Sequence, residues 1–220
     1  GGIKRRQTSE IDDSKKIKKR MNMMKLTELL LKLNRLKNIP RTGWLFCNIS
    51  NVDVEDVAQH SFEVATITMF LTDELMKEGK KVNRERAISM ALLHDWAESE
   101  VADFPYTAKK YLKPAGAKER MEHNALVDLL KDLPEKNKYL EIWEEYRDGK
   151  TAESKLVHAA DFLSIMVQGI EYRERGIKSK ELNELWRAVE EDLKPYAEEF
   201  KIVGELIKEL NSTFSSPSSF

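Results

Sequence analysis

The sequence predicts an all-α protein folded as a single-domain helical bundle. The chain has 220 residues, 41% of them hydrophobic, which suits one globular domain with a sizeable core. Between residues 21 and 210, apolar residues recur at the three- and four-residue spacing of a buried helix face in almost every segment. No stretch shows the sustained alternation of apolar and polar residues that is typical of a half-buried strand.

The individual helices are predicted from apolar stripes that end at turn residues. The first is expected from about Met23 to Lys37, because Pro40 and Gly43 follow it. Six more are expected over residues 55–78, 83–101, 115–131, 134–147, 152–175 and 180–210. The second of these six contains the string AISMALL, which is apolar nearly all round and predicts a buried central helix.

Both ends of the chain differ in composition from this domain of residues 21–210. Residues 1–20 contain eight Lys or Arg against three acids and lack the apolar core of a secretory signal. We interpret them as a basic flexible segment, which lies outside the native protein if Met21 is the native start. A basic arm that touches nucleic acid is the alternative. The Ser-rich residues 211–220 are predicted to be a disordered tail.

Composition limits the partners and the compartment. Because 37 Lys and Arg nearly balance 38 Asp and Glu, no net field attracts polyanions, and we expect no nucleic-acid partner. Cys47 is the only cysteine, so no internal disulfide can form. No run of about 18 apolar residues is present, so we expect no membrane partner. These features favour a cytoplasmic protein.

Four polar residues interrupt the apolar helices. His60 lies on an apolar stripe, His94 and Asp95 follow AISMALL, and Asp161 lies inside LVHAADFLSIMV. Each residue alone is explained by a carbonyl hydrogen bond or an ion pair. As a set they indicate a cation, because unpaired buried charges cost several kcal/mol or more. Two His nitrogens and two Asp oxygens suit one divalent transition metal (Co, Mn, Zn, Ni or Fe) better than calcium.

A fifth polar residue follows closely on this predicted metal site. Glu98 comes four residues after His94 and three after Asp95, so in a helix all three side chains project from one side. The spacing predicts a carboxylate beside the metal.

The order of these residues, His60 then His94-Asp95 then Asp161, resembles the H…HD…D signature of the HD-domain phosphohydrolases. The resemblance extends over about residues 23–175 and is strongest for the 5'-deoxynucleotidase subgroup. The strings that carry it are PRTGWL (40–45), VAQHS (57–61), LLHDWAE (92–98) and ADFPYTAKKY (102–111).

The resemblance implies a role for each of ten residues. The implied metal ligands are His60, His94, Asp95 and Asp161. The implied catalytic residues are Glu98, an acid/base group, and Asp103, a second carboxylate near the leaving group. The implied substrate-binding residues are Arg41, Trp44, Thr107 and Lys109. Because Thr42 and Gly43 separate Arg41 from Trp44, unlike in the bacterial enzymes, a packing role for Trp44 stays open.

The resemblance also implies a reaction: hydrolysis of (deoxy)nucleoside 5'-monophosphates to nucleoside and inorganic phosphate. It implies a homodimer as well, with the helices over residues 152–175 and 180–210 as its face. One alternative is another HD-domain phosphohydrolase, cleaving cyclic nucleotides or deoxynucleoside triphosphates. That enzyme needs a larger or more basic phosphate pocket than Arg41 and a few loop lysines provide. A non-enzymatic metal-stabilised module is the other alternative, but such a module has no need of Glu98.

Overall fold

The computed structural model describes residues 2–216, without the side chains of residues 2–15, 17, 18 and 109. This part of the chain contains α-helices and short 3₁₀ segments and no β-strand, which confirms the all-α prediction. The α-helices are α1 (Gly2–Leu33), α2 (Val57–Lys77), α3 (Arg84–Leu93), α4 (Glu98–Val101), α5 (Ala117–Leu130), α6 (Lys136–Asp148), α7 (Ala152–Glu174), α8 (Lys180–Glu199) and α9 (Lys201–Ser215). The 3₁₀ segments are Asn34–Asn38, Thr42–Cys47 and Tyr106–Tyr111.

Helix α7 lies at the centre of the bundle. It packs against α2, α3, α6, α8 and α9, and residues such as Leu156, Leu163 and Met166 are almost completely buried. Helix α2 lies beside it and also packs against α3, with Val64 and Leu71 facing the core. Two of the polar residues that interrupt the apolar pattern, His60 and Asp161, therefore lie on the central helices α2 and α7, and His94 and Asp95 directly follow α3. None of the described helices combines the length and apolar character needed to cross a membrane.

Two of the predicted helices are each split in the structure. The predicted helix 83–101 ends at Leu93 and resumes as the short α4, with tight i to i+3 hydrogen bonds between the two parts. The predicted helix 180–210 breaks at Phe200, whose backbone is extended (φ −122°) and whose side chain is 3% exposed. The apolar pattern runs through both breaks because burial continues on either side of them, so periodicity alone could not show where the axis changes direction.

Both termini are more helical than the sequence predicts. Helix α1 begins at Gly2, within the segment predicted to be flexible. It ends at Leu33, and the 3₁₀ segment Asn34–Asn38 covers the last residues of the predicted first helix, up to Lys37. Lys, Arg and Glu favour helices without forming an apolar stripe. The apolar periodicity therefore did not reveal that the first helix extends towards the N-terminus. Helix α9 includes residues 211–215 of the predicted disordered tail. There Phe214 stacks on Trp186 at 3.8 Å between ring centroids. Residues 217–220 of the predicted tail lie outside the described residues.

Candidate metal centre

A cavity of about 300 Å³ opens beside the 3₁₀ segment Thr42–Cys47. Its other walls are the α3–α4 junction and the inner faces of α5, α6 and α7. Its walls include seven of the ten residues that the sequence singled out. These are Arg41, Trp44, His94, Asp95, Glu98, Asp103 and Asp161. Residues more than 100 positions apart in the chain thus meet at one place, as the predicted site requires.

The predicted metal ligands converge at the inner end of this cavity. Ligand atoms of His60, His94 and Asp95 all lie within 4.8 Å of one another. Asp95 Oδ2 is 3.1 Å from His94 Nε2 and 3.7 Å from His60 Nε2. Asp161 Oδ1 approaches from α7 and is 3.1 Å from His60 Nε2. Three of the four predicted ligands therefore form one compact group, and the fourth touches that group through His60.

Both histidines are oriented by hydrogen bonds at the Nδ1 atom. His94 Nδ1 donates to the Ala91 carbonyl at 2.7 Å. The Ser164 hydroxyl donates its only hydrogen to the Asp161 carbonyl at 2.7 Å, so it must accept from His60 Nδ1, which is 3.1 Å away. Each ring therefore presents the lone pair of Nε2 to the group, which is the arrangement that orients metal-binding histidines.

The converging atoms make contacts mainly with one another. Within the described part of the chain, His60 Nε2, His94 Nε2 and Asp95 Oδ2 are buried and form no well-aligned hydrogen bond, although the short distances given above pair each imidazole with a carboxylate. Leaving a buried polar atom unpaired costs about 1–3 kcal/mol, and more when it is charged. Two imidazole nitrogens and a carboxylate oxygen are suitable donors for a divalent transition metal, so the residues present fit such an ion.

The electrostatics of the group are those of an anion-rich pocket. Burial lowers the pKa of His94, but Asp95 more than offsets this effect and raises it to about 9. Burial opposes ionisation of Asp95, yet His94 and Arg41 hold its pKa well below the usual range. In the absence of a cation, a proton on the imidazole balances the carboxylate. A bound metal displaces that proton.

Glu98 is the most deeply buried carboxyl of the cavity, with 2% of the residue exposed. Burial, followed by repulsion from Asp95, raises its pKa well above the usual range. Its Oε2 atom has no hydrogen-bond partner among the described residues. Burial therefore favours the neutral form of this side chain, which lies beside the ligand group, close to where its spacing in the sequence predicted it.

Asp103 anchors the segment that carries Arg41. Its Oδ1 accepts a hydrogen bond from Arg41 Nη1 at 3.1 Å, and its Oδ2 accepts two from Thr42, through N–H and Oγ1, each at 2.6 Å. Arg41 Nη1 also lies 3.6 Å from Asp95 Oδ2. Both oxygens of Asp103 are thus engaged by the protein, and the guanidinium group is fixed at the edge of the metal centre.

Trp44 both lines the cavity and packs in the core. It is 3% exposed, and its Nε1 donates to Glu55 Oε1 at 2.7 Å. Tyr172 meets the indole edge to face, with ring centroids 5.0 Å apart. The indole N–H is therefore not available to a ligand, and only the ring can contact one.

Of the predicted substrate contacts, Thr107 lies away from the cavity, and some residues of the cavity wall were not predicted. Thr107 is exposed and is not part of the cavity wall, and the side chain of Lys109 lies outside the described residues. Lys118 and Glu122 of α5 line the cavity without having been predicted. Their i, i+4 spacing was visible in the sequence, but nothing there distinguished the pair from a solvated one.

Ser164 is a second residue that the sequence did not reveal, and it supplies a test of the metal centre. We expect Ser164→Ala to weaken divalent-metal affinity about 10- to 100-fold, because His60 loses the partner of its Nδ1 atom. Metal titration by isothermal calorimetry measures this change. Thr72→Ala is the matched control, since that buried hydroxyl bonds only its own helix. An equal loss of affinity in both variants would contradict the orienting role.

The fold and the site together define a helical bundle that buries a His/Asp ligand group beside a protonated carboxyl. Residues 33–201 match the HD domain family, so this chain belongs to that family. The resemblance seen in the sequence is confirmed at this level. The HD domain implies a divalent metal, and His60, His94 and Asp95 form a candidate site for it.

Relatives and solved structures agree with this assignment. The chain is 30% identical to "5'-deoxynucleotidase HDDC2" of Bos taurus, over 88% of this chain and 90% of that protein. It is 32% identical to "5'-deoxynucleotidase hdd1" of Schizosaccharomyces pombe, over 69% and 74% of the two chains. A conserved hypothetical protein from Pyrococcus furiosus has the same fold, with 37% identity and a TM-score of 0.68 over 83% of this chain and 99% of that one.

Proposed function

We propose that this protein is a metal-dependent phosphomonoesterase that hydrolyses (deoxy)nucleoside 5'-monophosphates to nucleoside and inorganic phosphate. The observation that carries the proposal is the group of buried ligand atoms that lack hydrogen bonds, with a carboxyl of raised pKa and a fixed guanidinium beside it. The names of the relatives, which describe 5'-deoxynucleotidases, support the choice of substrate.

His60, His94, Asp95 and Asp161 are the residues that would hold the metal. The first three are grouped, and Asp161 Oδ1 adjoins the group at 3.1 Å from His60 Nε2. The donor set suits Co, Mn, Zn, Ni or Fe. When bound, such an ion supplies Lewis-acid chemistry, polarising a phosphoryl oxygen and lowering the pKa of water from about 15.7 towards 7.

The chain's own residues would bind the substrate and move its protons. The Arg41 guanidinium would bind a phosphate oxygen, and Asp103 would hold it in position through the hydrogen bond to Nη1. A water molecule would form the new bond to phosphorus and lose a proton to solvent as the ester P–O bond breaks, and Glu98, whose raised pKa favours its protonated form, would donate a proton to the leaving 5'-oxygen. Asp103 has both oxygens engaged by Arg41 and Thr42, so we assign it to positioning rather than to acid/base work.

The size of the cavity favours a monophosphate over a triphosphate. About 300 Å³ is at the lower end of the range for small-molecule sites. Carboxylates outnumber Lys and Arg among the described residues of its wall, which disfavours a triphosphate. The homodimer also stays a proposal. Because α7 is largely buried, the outward faces of α8 and α9 are the parts of the predicted dimer surface that remain accessible.

A screen of metals against nucleotides tests the proposed function. The protein is stripped with a chelator, reloaded with Co, Mn, Zn, Ni or Fe, and assayed for phosphate release. We expect release from deoxynucleoside and ribonucleoside 5'-monophosphates with at least one metal and none after chelation. Cyclic nucleotides and deoxynucleoside triphosphates serve as the comparison substrates. Preferential cleavage of either, or activity that survives chelation, would overturn the proposal.

A further inference from the structure

Lys118 occupies an unusual position in the cavity wall. It lies in the first turn of α5 (Ala117–Leu130), its side chain is 26% exposed, and its Nζ is 2.8 Å from Glu122 Oε1. Lysines are rarely buried to this extent unless they are paired. The Glu122 side chain is itself only 15% exposed and lines the same cavity. The ion pair therefore belongs to the site rather than to the outer surface.

The charges of the cavity show why a second cation is needed there. Among the described residues, the wall contains six carboxylates and three Lys or Arg. The carboxylates are Asp95, Glu98, Asp103, Glu119, Glu122 and Asp161, and the cations are Arg41, Lys118 and Arg147. Arg41 already interacts with Asp103 and Asp95, at 3.1 Å and 3.6 Å. A phosphomonoester dianion that enters this wall needs a cation beyond the metal and this shared guanidinium.

Helix stability does not explain the position of Lys118. A cation in the first turn of a helix meets the positive end of the helix dipole and is disfavoured there. The order Lys118 then Glu122 is also the less favourable of the two i, i+4 arrangements. No side chain caps the start of α5, and its first turn also carries Glu119, so the positive helix end and the Lys118 ammonium share this part of the cavity wall with one carboxylate. Both features favour an anion at this place.

We propose that Lys118 is a phosphate-binding residue of this site and that Glu122 positions its ammonium. The inference rests on the proposed function and extends it, since a phosphate group would be held by Arg41 from the segment before α2 and by Lys118 from α5. In the free protein, Glu122 keeps the ammonium charged and oriented at 2.8 Å. In the complex, the ammonium has three donors and can bind a phosphate oxygen while keeping this partner.

The test compares Lys118, in the first turn of α5, with Lys131, which directly follows the last residue of that helix. Lys118→Met is expected to raise the KM for a nucleoside 5'-monophosphate about 10- to 100-fold, the range of one charge-assisted hydrogen bond. The inhibition constant of inorganic phosphate should rise in parallel, and metal content should not change. Lys118→Arg should retain most of the affinity. Lys131→Met is the matched control, because Lys131 also pairs with a carboxylate, Asp128, but at an exposed position outside the cavity wall.

The outcomes separate this inference from the proposed function. Calorimetric binding of inorganic phosphate to the metal-loaded protein requires no turnover. If the wild type releases phosphate from nucleotides but Lys118→Met binds phosphate normally, the inference is wrong and the proposed function stands. If the wild type hydrolyses nothing yet binds phosphate through Lys118, the proposed function is wrong and the inference stands. Equal weakening in Lys118→Met and Lys131→Met would overturn the inference, as would loss of metal from Lys118→Met and Lys118→Arg.

Discussion

Replacing His94 by alanine is expected to remove the bound metal and the phosphatase activity together. His94 supplies one of the three grouped ligand atoms, and its Nε2 has no other partner among the described residues. Metal catalysis of phosphoryl transfer contributes several kcal/mol, so we expect turnover to fall about a thousandfold or more. Elemental analysis of the purified variant and the rate of phosphate release measure the two losses.

A second histidine provides the control for this experiment. His123 is half-buried and pairs with Glu144 at 3.1 Å, outside the cavity wall. His123→Ala should therefore keep both metal and activity. A His94→Ala variant that retained one metal per chain and normal turnover would show that the ligand group has another purpose.

Replacing Glu98 by glutamine is expected to lower turnover about 10²- to 10⁴-fold while the protein keeps its fold and its metal. The amide is nearly isosteric with the protonated carboxyl that burial maintains at this position, but it cannot deliver a proton. KM should change little. The loss should be smaller for an aryl phosphate, whose leaving group needs less protonation than a nucleoside 5'-oxygen. Steady-state kinetics on both substrates, with metal content measured in parallel, test this expectation.

Glu100→Gln is the matched control for the Glu98 variant. Glu100 belongs to the same short helix but pairs with Lys32 and Arg35, away from the cavity wall. That variant should turn over normally. If Glu98→Gln loses its metal, Glu98 is a ligand. If it turns over at close to the wild-type rate, another group or the solvent donates the proton.

The sequence by itself determined the fold class and singled out the residues of the candidate metal centre. Apolar periodicity reports which face of a helix is buried, and it identified seven helical segments that the structure contains, although two of them are split. His60, His94, Asp95 and Asp161 were visible because polar side chains in an apolar stripe require compensation. This argument needs only the local pattern, so it could single out these four residues without any knowledge of the tertiary structure.

Only the tertiary structure decided how these residues are used. The ring of His60 is oriented by Ser164, 104 residues away, and a partner so distant leaves no local signal. The breaks at Leu93 and Phe200 were hidden because burial continues across them. Lys118 resembles a solvated lysine in the sequence, and it became part of the site because α5 packs its first turn against a cavity built by other helices. The pattern of apolar and polar residues in the sequence reports which positions are buried. The orientation of a side chain and the charges around it depend instead on which helices pack together.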